Sequence, residues 1–127
     1  MAIPYNSEAI KNHDITGTQF QLGYLDASES AFLDKEFTKV ELKGSGENYM
    51  PEIKIDLSGK HLEIVRLKLK GADNFGGFTF TFTDKQYPFG KRKVLDDKSL
   101  NAVKLYIPEL AGEILKQSQL NEEQEKN

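Results

Sequence analysis

The sequence predicts a mainly β fold: a β-barrel or strongly curved antiparallel sheet of five to six strands. A short helix near 27–35 and a C-terminal helix near 108–118 accompany it. Three observations carry the prediction. Several runs alternate apolar and polar residues with a period of two, the mark of half-buried strands. Short stretches rich in Gly, Ser, Asn and Asp separate them, which favours antiparallel neighbours. The paired Gly76 and Gly77 interrupt a strand-like stretch and suit a bend or barrel corner.

Residues 1–14 are polar and read as an arm or first turn. Thr18, Phe20, Leu22 and Tyr24 alternate with Gln19, Gln21 and Gly23, giving a strand with one wet face. Asp26 followed three residues later by Glu29 is a capping-box pair. With Ala31, Phe32 and Leu33 behind it, it predicts the helix near 27–35.

Val40 and Leu42 alternate with Lys39, Glu41 and Lys43, and Gly44–Asn48 supplies a turn. Ile53, Ile55 and Leu57 alternate with Lys54 and Asp56 before a second turn at Ser58–Lys60. Leu62–Lys70, "LEIVRLKLK", reads as a further strand. Its apolar parity slips between Ile64 and Val65, which predicts a β-bulge. Residues 71–74 turn the chain into "FGGFTFTFT", with Phe78, Phe80 and Phe82 on the inner face and the threonines outside.

Val103–Ile107 fits either a strand or a helix begun near Asp97. Pro108 marks a fresh helix start, because Pro is tolerated in a first turn. Leu110, Ala111, Ile114 and Leu115 then make one apolar stripe. Residues 1–118 are expected to form a single β-rich domain and 119–127 a frayed acidic tail.

With no cysteine, disulfides and thiolate metal sites are excluded. No stretch reaches the roughly 18 apolar residues of a membrane span, and the N-terminal residues carry neither a signal pattern nor a lipidation motif. The expected location is cytoplasmic, with no membrane partner. Size, Lys/Glu/Asn usage and lack of Cys resemble small accessory proteins of bacteria, phages or plasmids, a likeness of composition only.

Catalytic signatures are missing. His13 and His61 have no ligand-spaced neighbours and read as surface residues. "DLSGK" at Asp56–Lys60 is followed by His61 where a phosphate loop needs Ser or Thr, and no G-x-S-x-G elbow is present. The sequence therefore nominates no enzyme, metal or cofactor.

Charge is distributed unevenly. The net charge is −3, yet residues 60–93 carry eight bases against three acids. On a strand, Arg66, Lys68 and Lys70 would stand on one face at about 7 Å intervals. Lys85, Lys91, Arg92 and Lys93 follow in a loop that also holds Tyr87 and Phe89. Cations neutralise phosphates, and exposed rings stack bases for on the order of 1–3 kcal/mol each. These nine residues predict a non-enzymatic module binding single-stranded RNA or DNA, OB-like or PUA-like in general shape. The alternative is a protein-interaction or structural subunit of a larger assembly, using a sheet edge or the C-terminal helix.

Overall fold

The computed structural model describes residues 11–43 and 50–126. It overturns the mainly β expectation: the chain is mixed α/β, 46% helical and 34% strand, and none of its small sheets closes into a barrel. The arm before residue 11 and the turn expected at Gly44–Asn48 lie outside the described residues.

Two strands open the fold, β1 (Lys11–Ile15) and β2 (Thr18–Leu22), paired antiparallel with Ile15 opposite Thr18. Thr16 and Gly17 make the two-residue connection, both with positive φ, at 51° and 88°. That is the backbone a type I′ hairpin turn demands. As the alternation predicts, Phe20 and Leu22 are buried, and Gln19 and Gln21 face outward on the other parity.

Helix α1 (Ala27–Phe37) begins on the expected capping box. Asp26 Oδ1 accepts from the Glu29 N–H at 2.8 Å, and Glu29 Oε1 accepts from the Asp26 N–H at 2.9 Å. Strands β3 (Thr38–Lys43) and β4 (Met50–Ile55) pair as a two-stranded ribbon, in agreement with their alternation.

The main correction lies next. "SGK" is not a turn and "LEIVRLKLK" is not a bulged strand: Leu57–Lys68 is helix α2. Its N-cap is Asp56, whose Oδ1 accepts from the Gly59 N–H at 3.0 Å. A Cβ at Gly59 would stand 2.5 Å from Asp56 Oδ2 and 2.9 Å from Phe37 Cε1, so those side chains would have to shift to admit one. Ile64, Val65 and Leu67 are buried together. At about 100° per residue those positions share one helical face, so the apparent slip in parity is the helical period itself.

The chain leaves α2 directly into β5 (Leu69–Asp73), which joins β2 to give the sheet order β1-β2-β5. The Gly23 N–H donates to the Lys68 carbonyl at 2.8 Å and fastens this junction. Residues 74–81 are irregular, with Asn74, Gly76 and Gly77 at positive φ. The strand expected at 75–83 is therefore displaced. Only from Phe82 does β6 (Phe82–Tyr87) run, pairing with β7 (Gly90–Leu95) across the Pro88–Phe89 turn. The rings of Phe75, Phe78 and Phe80 instead cluster with one another, and Phe75 reaches Phe20 and Tyr106.

Helix α3 (Asp97–Ala102) and one 3-10 turn (Lys104–Tyr106) lead into α4 (Ile107–Lys126), which resolves 103–107 as helical and extends past the expected 108–118. Pro108 sits in the first turn of α4. Leu110, Ala111 and Ile114 are buried on α4, which packs on α2, and α2 also contacts β7, whose Val94 and Leu95 are buried. The core is thus α2 held between α4 and the strands. One of the strands expected for the barrel is this helix, and no sheet closes.

Candidate functional site

The nine basic and aromatic residues do not form one surface. Arg66 and Lys68 lie on α2, where two positions are separated by about 200°, and Lys70 lies beyond it on β5. Lys91, Arg92 and Lys93 lie on β7, where successive side chains alternate between faces. Arg92 shares the face of Val94 and points inward; Lys91 and Lys93 occupy the other.

The inward-facing cations converge on two carboxylates that sequence reasoning missed. Glu29 is 0% exposed and Glu63 is 8% exposed. Lys68 Nζ lies 2.8 Å from Glu29 Oε1, and Arg92 Nε lies 3.5 Å from Glu29 Oε2. Arg92 also reaches Asp26 at 3.4 Å. Glu63 receives the Tyr87 hydroxyl at Oε1, Lys85 Nζ at 3.3 Å on the same oxygen, and Arg66 Nε at 3.4 Å on Oε2. Arg66 Nη1 continues to Asp97 at 3.0 Å. A buried carboxylate demands such partners, since desolvated charge without them is strongly unfavourable.

The rings belong to the same assembly. Tyr87 is buried, stacked on Phe89 at 5.0 Å between centroids, and Phe32 of α1 meets both edge-on. Lys85 stands over Tyr87 at 4.9 Å and Arg92 over Phe89 at 4.8 Å. Burial, then the Glu63 hydrogen bond and charge, push the Tyr87 phenol above its ordinary range. On the outer face Lys91 pairs with Asp84 at 3.5 Å, and Lys93 stands over Phe82 at 5.8 Å. Lys70 Nζ donates to the Leu67 carbonyl at 3.4 Å, and desolvation followed by Lys68's charge lowers its pKa. Among the described residues, Lys70 and Lys93 alone of the seven predicted cations have no carboxylate at ion-pair distance.

A second feature lies on the ribbon. Ile53 is 66% exposed and Ile55 is 52% exposed. The register sets Val40 opposite Ile53, Thr38 opposite Ile55 and Leu42 opposite Pro51. Cross-strand partners share a face, so among the described side chains Thr38, Ile53 and Ile55 stand on one face of the ribbon. Lys39, Glu41, Lys43, Glu52 and Lys54 fall on the other parity. Leu57, at the start of α2, is also exposed. The alternation was legible in the sequence; its exposure was not.

Among the described residues no group of three or more His, Asp or Glu side chains is placed to hold a metal ion. No helix among them is long and apolar enough to cross a membrane. Comparison of the chain with known families, curated proteins and solved structures finds no match.

Proposed function

We propose that this chain is a non-enzymatic protein-interaction module that docks through its β3–β4 ribbon. The observation carrying the reading is the exposure of Ile53 and Ile55 together on one face of the ribbon. A two-stranded ribbon alone is marginally stable in water, and covering an apolar face contributes about 25 cal/mol per Å² removed from solvent. The test places a photo-crosslinking amino acid at position 53 and, as a control, at the exposed Gln86. Protein adducts specific to position 53, lost in Ile55→Asp, are expected. Equal or absent adducts at the two positions overturn the reading.

A single-stranded RNA or DNA partner is the second reading. Lys70 and Lys93 favour it, as cations with no carboxylate at ion-pair distance among the described residues. Oligonucleotide affinity at low salt that falls in Lys70→Glu/Lys93→Glu supports it; no binding by the wild type removes it.

A further inference from the structure

We propose that the partner of the ribbon is a second copy of this chain, added edge to edge along β4 about a two-fold axis through Ile53. The inference rests on the proposed docking role of the ribbon.

Backbone direction identifies the available edge. The Asp56 N–H donates to the Phe37 carbonyl at 2.8 Å, so residues of that parity on β4 point their backbone groups toward β3. Pro51, Ile53 and Ile55 have the other parity and direct theirs away from it. Pro51, which has no N–H, sits where a strand tolerates proline, on the outward side of an edge. Among the described residues β4 has no second neighbouring strand.

Charge identifies the occupant. Across the ribbon the register opposes Lys39 to Lys54. Like charges directly opposite are unfavourable. A two-fold axis at Ile53 sets Glu52 opposite Lys54 of the second copy, and Lys54 opposite that copy's Glu52. It also sets Ile53 opposite itself and Ile55 opposite Pro51. Ile53 would exchange two N–H···O=C bonds with its counterpart, and each Ile55 N–H would donate to the carbonyl of Pro51 across the axis. Glu52 and Lys54 each hold a further interaction within the monomer, so the new pairs supplement or exchange contacts already present. The product is a four-stranded sheet, ordered β3-β4-β4-β3, with Ile53 and Ile55 of both copies on the same face.

Charge reversal tests this arrangement by rescue. Glu52→Lys and Lys54→Glu each turn two intermolecular pairs repulsive, and each should raise the dimer dissociation constant about tenfold. The double variant restores both pairs, as does an equimolar mixture of the two single variants. Within the monomer, Lys54→Glu faces Lys39. Both variants alter the interaction that residue 52 or 54 makes within the monomer, so recovery of the dimer in the equimolar mixture is what separates loss of the dimer from loss of the fold. Sedimentation equilibrium over a concentration series is the measurement. A wild type that stays monomeric overturns the inference, and so do single variants that associate like the wild type or a double variant that fails to recover. Crosslinking at position 53 separates the two claims: adducts only with a different protein remove the second copy but keep the docking role, whereas no adduct removes both.

Discussion

Glu29 and Lys68 form an ion pair at 2.8 Å with the Glu29 carboxylate fully buried, joining the first turn of α1 to the last turn of α2. The same Glu29 oxygen accepts the Asp26 N–H that starts α1. One side chain therefore caps a helix and fastens two helices. Lys68→Met leaves the carboxylate with Arg92 as its remaining cation, and should cost about 3 kcal/mol, as expected for stranding a buried charge. Adding Glu29→Gln to Lys68→Met should recover part of that loss. Urea denaturation of the three variants checks both signs.

Tyr87 links stability to alkaline pH. Its folded pKa lies above the ordinary 10.0, because burial and then Glu63 disfavour the phenolate. The contribution is fully present below pH 10 and is lost as pH rises beyond it. Phenolate absorbance should show one tyrosine that ionises only as the fold is lost, and Tyr87→Phe should abolish that delayed step.

Acid pH acts through Asp96 and Glu113. Asp96 is held below its ordinary 3.8 by the Thr81 hydroxyl and then the Ser99 N–H. Glu113 is held below its ordinary 4.5 chiefly by Lys11, 3.0 Å away. Both contributions are present above the ordinary carboxylate range and fade as pH falls through the lowered folded values. Tm measured from pH 5 downward should fall less steeply in Asp96→Asn/Glu113→Gln than in the wild type, from a lower plateau.

Two apolar residues near α4 should behave in opposite ways. Ile114 is fully buried, and Ile114→Ala should cost about 2–5 kcal/mol from lost burial and the cavity left behind. Leu105 is 81% exposed on the 3-10 turn, and Leu105→Ala should shift stability by less than about 0.5 kcal/mol. Equal effects from the two would contradict the packing described for α4.

Local signals carried the elements that depend on neighbours in sequence. The Asp26–Glu29 box, the Pro108 start, the Leu110–Ala111–Ile114 stripe and the Phe20–Leu22 alternation each act within a few residues, and each structure follows from them. The stretch from Leu62 to Lys70 failed for a definable reason. Its first seven residues continue helix α2 and only Leu69 and Lys70 are strand, in β5; the buried Ile64, Val65 and Leu67 fit one helical face as readily as two strand parities with a slip. Asp56 and Gly59, the cap that breaks the tie, read equally well as a turn. The fold class then followed the wrong choice, because that stretch supplied one of the five to six expected strands.

The amino-acid sequence by itself determined where helices α1 and α4 begin, which parity of β2 turns inward, and that the middle of the chain is rich in cations. Only the tertiary structure decided that Lys68 and Arg92 meet Glu29, that Arg66, Lys85 and Tyr87 meet Glu63, and that Ile53 and Ile55 stay in water. Helix caps and strand alternation are short-range consequences of hydrogen bonding and burial. Apart from Arg66 and Glu63, three residues apart on α2, these contacts join residues 22 to 63 positions apart along the chain, and their partners are chosen by whichever side chains the packed elements carry into the same desolvated space.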